Sequence, residues 1–113
     1  MSDTSPDLAL LRAALVARLD SLRAASKTTA DNRRPVELDQ TSVGRLSRMD
    51  AMQGQAMALA TERRRKDEAR RVEAAIRRID EGEYGYCISC GEGIAPKRLA
   101  VDPTIPTCIR CAA

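Results

Sequence analysis

Leu8, Leu11, Leu15, Leu19 and Leu22 recur at steps of three or four, while Arg12, Arg18, Asp20 and Arg23 fill the positions between them. That spacing puts the leucines on one face of a helix and predicts an amphipathic helix over about 6–25. Ser5 is its expected N-cap, followed by Pro6 at the first helical position and Asp7 where the helix dipole favours an acid. From 26 to 42 the periodicity fails. Asp31-Asn32-Arg33-Arg34-Pro35 holds turn formers and a proline that biases Arg34 away from helix, so this stretch is expected to be a loop.

A longer period starts at Val43, with Thr41 or Ser42 as its cap, and follows Leu46, Met49, Gln53, Ala56 and Ala60 along one face. It crosses the polar run Thr61-Glu62-Arg63-Arg64-Arg65-Lys66-Asp67-Glu68 and resumes at Val72, Ile76 and Ile79. Gly44 and Gly54 weaken this helix without ending it, and Gly82 supplies the stop near 81. At 1.5 Å per residue the two helices measure about 30 Å and nearly 60 Å. An antiparallel hairpin with 26–42 at its tip is the simplest packing. The first helix then runs out opposite about 60–65, so the charged run is expected to be a solvated face, with Glu62 and Lys66 forming an i,i+4 pair. Val72, Ile76 and Ile79 are expected to pack beyond the hairpin, against Ile94, Leu99 and Ile105. The predicted fold is mainly α: a two-helix coiled-coil hairpin over 1–81, then a small module over 82–113.

Composition explains why such a thin fold needs help. The chain has 113 residues, 43% of them hydrophobic, with no His, Phe or Trp and only Tyr84 and Tyr86 as aromatics. Alanine dominates the apolar fraction and buries little area. Histidine-based acid/base and triad chemistry is excluded, and the chain is read as a non-enzyme. With 19 basic and 16 acidic residues mixed along it, the net charge is +3. Neither a one-sided basic patch nor aromatic stacking platforms for nucleic acid stand out. No apolar run approaches the roughly 20 residues that span a bilayer. The start, Met1-Ser2-Asp3-Thr4-Ser5-Pro6-Asp7, is acidic where a secretory signal is basic, so a cytoplasmic location is expected.

The strongest chemical signal is Cys87, Cys90, Cys108 and Cys111: two CxxC pairs separated by 17 residues. Each pair forms a knuckle aiming two thiolates at one point, and together they suit a tetrahedral Zn²⁺ site. Gly91 follows the second cysteine, where positive φ lets the backbone turn around the metal. Four protein ligands leave no place for substrate, so one structural zinc ion is expected. Two disulfides would suit a secreted chain, a redox CxxC would need a βαβ surround, and iron fits the same four thiolates. The linker Gly91-Glu92-Gly93-Ile94-Ala95-Pro96-Lys97-Arg98-Leu99 reads as turns with one short strand at most.

The stretch Gly82-Glu83-Tyr84-Gly85-Tyr86-Cys87-Ile88-Ser89-Cys90-Gly91, continuing through Ile94, Arg98-Leu99 and Pro103-Thr104 to Cys108 and Cys111, resembles the DksA/TraR family of bacterial transcription regulators. The resemblance covers about 30 residues closely, and the preceding hairpin resembles the family's architecture by pattern. It implies direct binding of RNA polymerase through its secondary channel, with acidic tip residues near the catalytic centre. It also implies guanosine tetraphosphate as a joint effector in several members, a zinc held by Cys87, Cys90, Cys108 and Cys111, and no sequence-specific DNA reading. The family's DxxDxA tip motif has its best counterpart in Val36-Glu37-Leu38-Asp39-Gln40-Thr41, where Asp39 matches the second acid, Val36 and Thr41 replace the first acid and the alanine, and Glu37 is expected to substitute for the missing charge. Against that pattern the chain is expected to be without the extra N-terminal residues of long members and the helix that follows their last cysteine. It is read as a monomer. Two other readings use the same features: a zinc-stapled helical adaptor for another protein, and a nucleic-acid binder acting through Arg63, Arg64, Arg65, Lys66, Arg70 and Arg71.

Overall fold

Helix α1 runs Leu8–Thr28 in the computed structural model, which describes residues 7–34 and 45–112. Its cap is Asp7 instead of Ser5: one carboxylate oxygen accepts from the N–H groups of Ala9 and Leu10 at 3.0 and 3.3 Å. A carboxylate satisfies two orphan donors and meets the positive end of the helix dipole as well. Ser5 and Pro6 lie outside the described residues. The helix also continues past 25, because the Thr28 and Thr29 hydroxyls donate to the carbonyls of Ala24 and Ala25 and tighten the last turn. A 3₁₀ turn, Ala30–Arg33, then occupies the start of the expected loop.

Helix α2 runs Arg45–Asp80, 36 residues and about 54 Å, unbroken through Gly54. The cap at Thr41 or Ser42, the start at Val43 and the weak point at Gly44 lie outside the described residues. Gly82, at φ 75°, ends the helix. Its N–H donates to Ile79 O at 3.1 Å and that of Glu83 to Arg78 O at 2.8 Å, the paired closure that a left-handed residue permits.

The helices are antiparallel, but their register differs from the sequence expectation. Leu15, Leu19, Val72 and Ala75 form the buried seam, with Leu11, Leu22, Ala69, Ile76, Ile79 and Tyr84 packed against it. Arg12 reaches Asp80 at one end and Ser26 reaches Glu62 at the other. Val72, Ile76 and Ile79 therefore face α1; of the C-terminal module Tyr84 packs with them, while Ile94 and Leu99 belong to a separate cluster. The start of α1 lies near the end of α2, and it is the C-terminus of α1 that meets residues 62–65. The reason is area: leucines set against valine and isoleucines lose more apolar surface than against the stripe of Met49, Gln53, Ala56 and Ala60. Met49, Met52, Met57 and Leu59 in the first half of α2 remain exposed.

Thr61, Arg63, Arg64, Lys66 and Asp67 of the charged run are exposed, as expected, but its ion pair is not the expected one. Glu62 is buried, 5% exposed, and pairs with Arg65 at 2.7 Å and Arg33 at 3.3 Å instead of with Lys66.

After Gly82 the chain folds around its cysteines. The stretch expected to hold at most a strand forms a short helix, α3, Pro96–Val101, with its proline in the first turn. Extended pairing among the described residues is a single antiparallel bridge, Tyr86 to Gly93. Ile94 and Leu99 pack with Cys87 and Cys108 in a second small cluster. The fold is mainly helical, as the sequence pattern predicts, and rod-like at 72 × 29 × 19 Å. No described helix is long and apolar enough to cross a membrane.

Candidate metal centre

The four cysteines are brought together by two turns of the same design. In the first, Gly91 N–H donates to Cys87 O at 2.9 Å, and Gly91 takes φ 78°, which an L side chain rarely adopts. The second closes when the N–H groups of Cys111 and Ala112 donate to Cys108 O at 3.1 and 3.0 Å. Two backbone bonds tie the first turn to the rest of the module: Cys87 N–H to Glu92 O at 2.8 Å and Ile88 N–H to Pro106 O at 2.9 Å. The second of these draws the two knuckles face to face.

All four Sγ atoms lie within 4.8 Å of one another. The sulfurs of Cys90 and Cys108 are 3.7 Å apart. A tetrahedron with Zn–S bonds of about 2.3 Å has edges of about 3.8 Å, so the spacing fits one ion. The same spacing is far beyond a disulfide bond, and all four cysteines are free thiols. Cys87 and Cys108 are buried while Cys90 is exposed, which places the centre at the surface of the module.

Charge explains why these sulfurs need a cation. Backbone N–H groups, that of Cys108 first, hold the Cys87 thiol down at about 6. Cys111 is pushed up to about 12, chiefly because its proton is shared with the sulfur of Cys108 and then with Cys87 and Cys90. Crowded thiols do not all ionise by themselves. A coordinated divalent metal deprotonates each of them, and four protein sulfurs then close its coordination sphere against water or substrate.

The module meets the helices through a polar junction. Tyr84 donates its hydroxyl to Pro103 O at 2.8 Å, and Arg78 makes a long contact of 3.5 Å with Thr104 O. Thr104 is buried, and its hydroxyl and N–H both donate to Asp102 Oδ1, at 2.7 and 3.0 Å. Burial would raise the Asp102 carboxyl; these two bonds, with Arg18 and Arg71 nearby, hold it below its ordinary range instead. Asp102-Pro103-Thr104 is a turn signal that sequence reasoning passes over, since an aspartate two residues before a threonine can accept from its backbone. The acids expected at the tip, Glu37 and Asp39, lie outside the described residues.

Residues 82–113 match the model of the prokaryotic dksA/traR C4-type zinc finger. Three curated proteins, each named RNA polymerase-binding transcription factor DksA, are similar to part of the chain. That of Haemophilus influenzae is 40% identical over 42 residues, 37% of this chain and 29% of the relative. That of Caulobacter vibrioides is 39% identical over 49 residues, 43% of this chain and 34% of the relative. That of Escherichia coli K12 is 36% identical over 42 residues, 37% of this chain and 28% of the relative. The aligned stretch thus spans about a third or less of each relative's length. The solved structure of transcription factor DksA2 from Pseudomonas aeruginosa is similar over 91% of this chain and 72% of that one, with a TM-score of 0.60 and 25% identity. The matched family is a zinc finger, so among the metals that four thiols suit, the centre is one for a single structural zinc ion.

Proposed function

We propose, from the premise that residues 82–113 are a C4 zinc finger of the DksA/TraR family, that this protein is a transcription regulator binding RNA polymerase directly. Cys87, Cys90, Cys108 and Cys111 are the zinc ligands, residues 82–113 act as the base, and residues 1–81 act as a hairpin that enters the polymerase secondary channel. Glu37 and Asp39 are the tip acids that reach toward the catalytic centre, and guanosine tetraphosphate acts together with the protein on polymerase. The protein works as a cytoplasmic monomer and catalyses no reaction of its own.

The observation that carries this reading is the shape of α2. One end is anchored to the zinc module at Gly82, while the other runs about 26 Å beyond Glu62, where α1 ends. A slender arm on a metal-fixed base suits insertion into a channel better than docking on a flat surface. The nucleic-acid reading has less support, because Arg65 is occupied by Glu62 and Arg70 by Asp67. Capture of RNA polymerase core enzyme, followed by transcription with Asp39→Asn, tests the proposal. Capture with loss of the promoter effect is expected.

A further inference from the structure

The apolar seam between the helices stops at Leu22 and Ala69, and the next layer toward the arm is polar. Its centre is Glu62, whose Oε1 is met by side chains from three elements, two as hydrogen bonds and one as an ion pair. The Ser26 hydroxyl of α1 donates at 3.0 Å, Arg65 Nη1 of α2 at 2.7 Å, and Arg33 Nη1 of the 3₁₀ turn lies at 3.3 Å. Arg33 is only 19% exposed and Arg65 17%. Arg33 does more than pair with the acid. Its Nη2 donates at 2.8 Å to Ser26 O, a carbonyl left over at the end of α1, and its Nη1 donates at 2.9 Å to the Thr29 hydroxyl. One residue later the chain is held again, since Gln55 Nε2 donates to Arg34 O at 2.5 Å.

These bonds do not extend the packing of the base, which is complete without them. They act where the chain leaves α1, and they bind a turn that contributes no residue to the apolar seam. A buried carboxylate met by two guanidinium groups has a single well-satisfied arrangement, and such polar layers fix geometry more than they add stability. We infer that Glu62, with Arg33 and Arg65, forms a clasp that sets the direction in which the chain leaves the base toward the segment carrying Glu37 and Asp39. Glu62 is thus a positioning residue for the arm. The inference rests on the functional reading above for its purpose, and on the geometry alone for its existence.

Trypsin reads the clasp directly. The bond after Arg33 is a tryptic site, whereas the bond after Arg34 precedes Pro35 and resists cleavage. With the clasp closed, the Arg33 side chain is unavailable to the protease. In the full-length, zinc-loaded protein, Glu62→Gln is expected to speed cleavage after Arg33 by about tenfold relative to cleavage after Arg18 within α1, as loss of a charge-assisted bond predicts. An unchanged ratio, including one in which both sites accelerate together, overturns the inference. Should Glu62→Gln fail to fold, Arg65→Gln is read by the same ratio. In transcription assays Glu62→Gln is expected to keep polymerase capture and lose the promoter effect; a full promoter effect from a protein with an open clasp overturns the positioning role. If the unsubstituted protein does not bind polymerase, the functional reading fails, and the cleavage ratio still decides whether the clasp exists.

Discussion

Tyr84 belongs to both halves of the molecule: its ring packs on the seam of Leu15, Leu19 and Val72, and its hydroxyl donates to Pro103 O at 2.8 Å in the zinc module. Burial, partly offset by Arg78, raises the phenol further above neutrality, so it remains a protonated donor. In a chain with two aromatics, one of them is placed where the metal-fixed base meets the helices.

Tyr84→Phe is therefore expected to cost about 1 kcal/mol in urea unfolding of the zinc-loaded protein, the usual size of one hydrogen bond. Zinc content should stay at one ion per chain. A neutral substitution would mean that the bond does not join the two halves.

The seam register makes a sharper contrast. Leu15 is 2% exposed, and Leu15→Ala should destabilise by about 2–5 kcal/mol, the range for a leucine removed from a packed core. Met49, on the stripe that the sequence pattern turned toward α1, is 52% exposed, and Met49→Ala should fall within about 0.5 kcal/mol of the parent. Similar losses at the two positions would support the register that the sequence pattern suggested.

Zinc removal should separate the two clusters. The module's own core is Cys87, Ile94 and Cys108, which is too small to hold without the metal, whereas the α1–α2 seam contains no cysteine. Structural zinc sites contribute about 10–16 kcal/mol of apparent binding energy at neutral pH. Chelation should unprotect the amides of Cys87 and Ile94 in hydrogen exchange while those of Leu15 and Leu19 stay protected. Uniform loss would show that the seam depends on the module.

The pH dependence of the clasp follows from Glu62. Burial alone would raise its carboxyl, but the Ser26 hydroxyl, then Arg65 and Arg33, outweigh it and hold the group below its ordinary range. A depressed folded value means that the stabilisation is complete above the unfolded value of about 4.3 and fades as pH falls through the folded one. Carboxyl chemical shifts should place Glu62 below that value, and Arg65→Gln should move it upward. A Glu62 that titrates above 4.3 in the parent would contradict the clasp.

Much of the site was legible in the chain because its signal is local. The cysteine spacing, Gly91 at the knuckle and Gly82 at the helix stop each act through the backbone of their own neighbourhood. The helical character of Leu8–Thr28 and Arg45–Asp80 was equally plain from the leucine and isoleucine periods. Register was not legible, because two apolar stripes on α2 were available to α1 and only the comparison of buried area selects Val72 and Ile76 over Met49 and Ala56. Glu62 was misplaced for a related reason. Its i,i+4 neighbour Lys66 is visible in sequence, while Arg33 and Ser26 reach it only through the fold. Asp7 took the cap from Ser5 because a helix start depends on which side chain reaches two amides, a matter of one or two residues that pattern leaves open.

The protein is proposed to bind RNA polymerase through a metal-fixed helical arm. Fluorescence anisotropy of the labelled, zinc-loaded protein titrated with RNA polymerase core enzyme tests it most directly. Saturable binding at micromolar concentration that chelation of the zinc abolishes is expected. No binding at that concentration, or binding indifferent to the metal, would contradict it.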